Sequence, residues 1–569
     1  MNKKYYILAF SILVLFTGVT YSQDLTQQGL ALLQKKDYEG AAAVLRRAVE
    51  TSPRSEKANA YFGEALLYLG KLDSAEIFLK KAVDLNNEYA EAYALLGDLY
   101  VQKKDIPSAI ENYKLASKYD NKNIGYVLKL GDAQLQADSL DAAMASFVKA
   151  TTIQEKNPRA IEGIGDVYLK QNIYSAAIDK YNEALTYDSL NVPLRLKLAN
   201  TYMKNGDGAN AYEQFVKASN LDPNNADAQL QAGELLYINR HYSEAIPFLQ
   251  KYHELKPGDQ KELLHLGIAL FRSGRFHDAI ETFKNYLKVE PNSIDVKKAL
   301  AAAYHFEKNY EDSYKVYSSI PFDSLDAKDL VRFGLDANSI PQRDTSTVIK
   351  AWSRAVQLDT TSQLSEIEYL LGTVLFGAKD YTAAIAHFQR RLTFEPNDVA
   401  ALLNMGLCYF IIQDYSHAIS ALRKVTELKP QNLQGQLWLA RAYIYADSLE
   451  QAKDVYQNVI RVAINDTTGD HSQDLNEAYR QTALYQIITG SKLQKDRPEE
   501  AKRFYSDALP NLMTALRYDP KEPKTHALLA QDYALLGKID DACKEIKIVL
   551  RVDPRNEQML KLQKSLGCE

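Results

Sequence analysis

Small residues recur along this chain at a fixed interval of 34. Steps of 34 in both directions from Gly97 land on Gly29, Gly63, Gly131, Gly165, Ala199, Gly233, Gly267 and Ala301. A chain of 569 residues would otherwise suggest several globular domains, but a period this short demands an array of supersecondary units. With Gly97 placed at position 8 of its unit, position 20 is Ala in Ala41, Ala75, Ala109, Ala143, Ala177, Ala211, Ala245 and Ala279. Position 27 is small in Ala48, Ala82, Ala116, Ala150, Ala184 and Ala218, and position 24 is large, as in Tyr113, Phe147, Tyr181, Phe215 and Phe283. Pro recurs at position 32, as in Pro53, Pro223, Pro257, Pro291, Pro396, Pro430 and Pro554. Small side chains let two helices approach, large ones fill the space between neighbouring pairs, and Pro ends the second helix.

This pattern closely resembles the tetratricopeptide repeat family, with its Leu-Gly-x-x-Tyr, Ala-x-x-x-Phe, Ala and Pro signature, here carried by units such as 93–121. The resemblance implies an all-α fold: a right-handed α-solenoid of about 15 helix-turn-helix repeats whose concave face, lined by the first helix (A) of each pair, binds peptides or proteins. The expected organisation is nine regular repeats over 23–327, a degenerate repeat over 328–364 and three regular repeats over 365–466. An enlarged unit at 467–522, a last repeat at 523–556 and a capping helix at 557–569 follow. In the degenerate repeat Trp352 and Ala355 keep positions 24 and 27, and Thr345 to Thr347 read as part of a lengthened inter-helix turn. In the enlarged unit Pro510 is expected to kink or split the second helix.

The N-terminus reads as a secretory signal over 1–22. Lys3 and Lys4 precede thirteen apolar residues from Ile7 to Val19, and Thr20-Tyr21-Ser22 offers cleavage after Ser22. A core of thirteen is short for a span of about 20. A periplasmic or secreted protein is expected, with an uncleaved inner-membrane anchor as the alternative. Net charge is −5, without a basic stripe, which argues against nucleic acid as a partner.

Position 9, next to the anchor and on the concave face in this family, reads Glu64, Asp98, Asp132, Asp166, Asn200 and Glu234. Lys57, Lys129, Arg159, Lys170, Lys197 and Lys204 lie at nearby positions of the same helices. These residues are either a charged ladder gripping an extended partner or a groove wall whose carboxylates pair with neighbouring lysines. Farther on, Tyr369, Phe376, Phe410, Ile411, Trp438 and Tyr445 bring aromatic character, either as anchors for protein or sugar or as packing in a tighter, self-associating region. The family's carboxylate clamp for chaperone tails is not matched, since at position 6 only Asn404 fits.

Cys543 and Cys568 fall symmetrically about the turn near Pro554, where a disulfide and two free thiols are both open, while Cys408 reads as a buried apolar residue. His241, His253, His265 and His277, twelve apart, fall at an inter-helix turn, a helix end, an A helix and the next turn, so surface histidines are expected and no metal. No phosphate loop, HExxH, paired CxxC or nucleophile elbow occurs; neither catalysis nor a cofactor is expected. Four Asp-Ser-Leu triplets, at 138, 188, 323 and 447, resemble a periplasmic O-glycosylation acceptor, with helix capping as the stronger reading. The expectation is a non-enzymatic interaction scaffold in the cell envelope, with carbohydrate handling as the alternative.

Overall fold

A computed structural model describes residues 24–359, 363–466 and 469–568. The signal-like segment lies outside the described residues. Helices and turns account for all regular structure among them, and the chain divides into two compact units, 1–282 and 283–569.

Fifteen helix pairs follow one another among the described residues, from 24–34 with Tyr38–Thr51 to Pro523–Leu535 with Ile539–Val552, and Glu557–Leu566 closes the series. In a regular repeat helix A occupies positions 1–13 and helix B positions 17–30, as in Ala90–Gln102 and Ile106–Tyr119. Each end has a local cause. Asx or Ser side chains at the N-caps of many A helices (Ser55, Asn123, Asn157, Asn191, Asn225, Asp259) accept a hydrogen bond from the first turn. At position 15 the backbone turns left-handed. That residue is Lys36, Gly70, Lys104, Asp138, Asn172, Gly206, Arg240, Gly274 and Lys308, a second series with the 34-residue period. The hydrogen bonds Gly70 N to Leu67 O and Lys71 N to Leu66 O show the cap that closes helix A and reverses the chain.

The core lies between A and B helices and between neighbouring pairs. Position 8 touches position 24 of its own repeat. A Cβ on Gly131 would come within 2.7 Å of Phe147, and one on Gly165 within 2.6 Å of Tyr181. Ala75, Ala109, Ala143 and Ala177 are fully buried, and Phe147, Tyr181 and Phe215 are the largest groups sealed beside them. Within each unit, A helices one repeat apart approach one another more closely than B helices do, so the A face is the inner one.

The irregular stretch differs from expectation. Helix B of the ninth repeat is cut to Tyr310–Ser318 and followed by a short turn of helix at Phe322–Ser324. Thr345 to Thr347 do not belong to a lengthened turn. They open helix Thr345–Leu358, because the Asp344 carboxylate accepts from Thr347 N and holds the first turn. Trp352 does fill position 24: it is buried, lies against Gly334 and donates its Nε1 proton to Val331 O at 3.1 Å. The enlarged unit is one long pair, Ser472–Leu493 and Pro498–Tyr518. Pro510 sits inside the second helix without splitting it, with Ala508 and Leu512 on either side fully buried against the partner helix.

Candidate functional site on the A-helix face

In unit 1 the position-9 carboxylates are tied to the next repeat. Asp98 accepts from Lys129 Nζ at 2.6 Å and from Tyr113 OH at 2.7 Å. Asp166 repeats the arrangement with Lys197 Nζ at 2.9 Å and Tyr181 OH at 2.8 Å, and Glu162 accepts from the same Lys197 at 2.6 Å. Asp132, whose position 24 is Phe147 rather than Tyr, pairs instead with Arg159, and Glu234 with Lys261 Nζ at 2.9 Å. Acid at position 9 therefore meets base at position 6 or 2 of the following helix. Of the two expected roles for this row, a ladder gripping a partner or a wall paired with neighbouring bases, these four acids take the second and are largely neutralised within the protein. Asn200 is exposed and interrupts it.

Glu64 is the exception. No donor reaches it among the described residues; its neighbours in the field are Glu91 and Asp98, opposed by Lys129 alone. Burial first, and then those two carboxylates, push its pKa up to about 7. Tyr61, Tyr68 and Tyr126 lie in the same field, each phenol raised by burial and by these acids, that of Tyr126 to about 12. Tyr89 OH donates to Glu91 at 2.9 Å. Three carboxylates, one ammonium and tyrosine walls make a place where an added cation lowers the energy of every acid present.

In unit 2, Phe410, Trp438 and Tyr445 come together. Phe410 meets Trp438 edge-on at 5.2 Å and Tyr445 at 5.4 Å, and Tyr445 stacks on Tyr415 at 5.4 Å. Arg441 covers Trp438 at 4.6 Å and is held by both oxygens of Glu477. Tyr445 is 63% exposed, so it alone of the three offers a free ring face. Tyr369 is not part of this cluster; it leans on Phe388 at 6.0 Å.

Cys543 and Cys568 are joined in a disulfide, which ties the capping helix to the last B helix. Cys408 is buried and its thiol is pushed up to about 12 by that burial. Ser139 and Ser448 stand at N-caps without a side-chain cap bond, and Asp138 and Asp447 occupy the left-handed turn position, so side-chain capping does not explain those triplets. The left-handed turn recurs every 34 residues, but its residue types are too mixed for the sequence to have marked it.

Stacked helix pairs, small-to-large packing between positions 8 and 24 and a polar inner face define a repeat scaffold. Models described as tetratricopeptide repeat match 32–99 and 236–302, 196–260 and 369–433, and 90–123, and one described as TPR repeat matches 165–206, together just over half of the chain. The chain belongs to the tetratricopeptide repeat family. Among curated relatives, the BBSome complex member BBS4 of Xenopus tropicalis is 36% identical over 87 residues, 15% of this chain and 17% of that protein. Hsp70-Hsp90 organizing protein 1 of Glycine max is 20% identical over 198 residues, 32% of this chain and 35% of the relative. The chain thus spans only a minor part of these relatives. Among solved structures, PilW, a type IV pilus biogenesis factor, gives a TM-score of 0.35 at 18% identity, over 37% of this chain and 97% of that one. No helix among the described residues is long and apolar enough to cross a membrane.

Proposed function

We propose that the protein is a non-enzymatic scaffold that holds an extended, basic segment of a partner protein on the A face around Glu64, Glu91 and Asp98. The observation that carries this reading is the unbalanced charge there, on a face where the other position-9 acids have partners. Two relatives bear names that denote assembly, a complex member and an organizing protein. The N-terminal sequence and the Cys543–Cys568 bond support an exported, oxidising location, with a role in envelope assembly or secretion. Affinity capture from the native cell envelope with cross-linking tests the partner reading: proteins held by the native chain and released by Glu64→Gln/Glu91→Gln support it, and an unchanged set contradicts it. N-terminal sequencing of the mature protein tests signal cleavage, for which a start at Gln23 is expected, against an uncleaved anchor.

A second reading rests on Tyr445, whose exposed ring beside Tyr415 suits stacking on a sugar. Glycan-array binding lost in Tyr445→Ala would favour it.

A further inference from the structure

The four histidines twelve residues apart fall at different places in the repeat and are not expected to share a metal. One of them, His265, meets two carboxylates instead. Glu262 and His265 are three residues apart on helix Gln260–Arg272, one turn along the same face, and Glu234 reaches them from helix Ala226–Ile238 of the preceding repeat. One donor atom from each lies within 4.8 Å of the other two. His265 Nδ1 is 3.2 Å from Glu262 Oε2 and 4.0 Å from Glu234 Oε1.

We propose that Glu234, Glu262 and His265 form a binding site for a divalent transition-metal ion, Zn²⁺ or a similar ion that accepts mixed nitrogen and oxygen ligands. Bonds of about 2.1 Å place neighbouring donors about 3.0 Å apart in octahedral and about 3.4 Å apart in tetrahedral geometry. His265 Nδ1 and Glu262 Oε2 already stand at such a spacing, and the Glu234 carboxylate closes in on them from 4.0 Å or more by side-chain rotation. One imidazole with two carboxylates suits Zn²⁺, Mn²⁺ or Fe²⁺ and leaves coordination positions for water. Charge already marks the place: Lys261 Nζ sits 2.9 Å from Glu234 Oε1 and 3.1 Å from Glu262 Oε1. Glu262 is 3% exposed, whereas Lys261 is 68% exposed and can swing into water. Tyr237 stacks on His265 at 4.5 Å and limits its rotation. On binding, the Lys261 ammonium gives way to the ion, which bonds to the imidazole through Nδ1. The ion would brace the A helices of two adjacent repeats.

Titration of the untagged full chain with Co²⁺, read by its visible bands, and with Zn²⁺, read by calorimetry, tests the site. The expected result is one equivalent bound, weakened about tenfold or more in Glu234→Gln and in His265→Ala, and tightened in Lys261→Ala, which removes the competing ammonium. His471→Ala should bind like the native chain. Far-UV dichroism and the melting temperature without metal check that each variant is folded. Absence of saturable binding by both the native chain and Lys261→Ala would overturn the proposal. So would binding to His265→Ala as tight as to the native chain.

Discussion

The two units carry their polar side chains in different places. In unit 1, the acids at position 9 of the A helices are partly open to solvent and pair across repeats with Lys129, Arg159, Lys197 and Lys261, and Glu262 at position 3 is the buried one. In unit 2, acids also appear at position 10, inside the packing. Asp336 is fully buried and accepts from Ser313 Oγ at 2.6 Å, with His305 Nδ1 facing it at 2.6 Å. Asp532 is fully buried with neither oxygen bonded. Position 10 in unit 1 is Ala31, Ala65, Leu99, Ala133, Val167, Thr201, Leu235 and Ala269, without a carboxylate. Solvent-facing pairs cost little to break, so a partner can exchange them for its own charges. Buried pairs lock one arrangement of neighbouring helices, because losing either member strands the other.

The largest expected effect comes from breaking the buried arrangement. Asp336→Ala should destabilise unit 2 by about 3 kcal/mol, read as a lower urea midpoint and faster hydrogen exchange in Ala327–Ser339. Exchange unchanged there would mean that Asp336 pins nothing. Cys543→Ser should cost about 3 kcal/mol by opening a span of 25 residues. Its effect should stay in Ile539–Val552 and Glu557–Leu566, which exchange mapping by mass spectrometry can localise.

Acid–base behaviour sharpens the contrast next. Burial raises the Asp532 pKa to about 7, and Lys538 only partly offsets it. Between its ordinary value near 4 and 7 the folded chain binds the extra proton, so stability falls as pH rises through that window. Asp532→Asn should flatten this fall and stabilise the chain at pH 8 by about 1–2 kcal/mol, measured as urea midpoints at pH 5 and 8. Smallest of all, Lys129→Met should change stability by about 0.5 kcal/mol or less, since the Asp98 carboxylate stays partly solvated and keeps the Tyr113 hydroxyl. A loss as large as that of Asp336→Ala would erase the distinction between the units.

The architecture was readable because packing imposes it at every repeat. Gly97 must be small where Tyr113 crosses it, and the same demand recurs every 34 residues. Position 9 was readable as a row of acids that could pair with nearby lysines, but which base each acid meets was not. Whether Asp132 meets a lysine or Arg159 depends on how the following helix is set, which no single repeat encodes. The meeting of His265 with Glu234 likewise depends on the stacking of two A helices. Pro510 was legible as a break in local chain preference, but not that the helix runs on through it where Ala508 and Leu512 are buried on either side. Asp336 and Asp532 were visible as charged residues at an apolar position, a signal that the repeat frame exposes once position 10 is compared across units.

Calorimetric titration of the native chain with an extended Lys/Arg-rich peptide tests the central claim most directly. The account predicts measurable affinity that falls about tenfold or more in Glu64→Gln/Glu91→Gln, rises in Lys129→Met, where Asp98 is released, and declines with added salt. Equal affinity for the native chain and the double variant would contradict it.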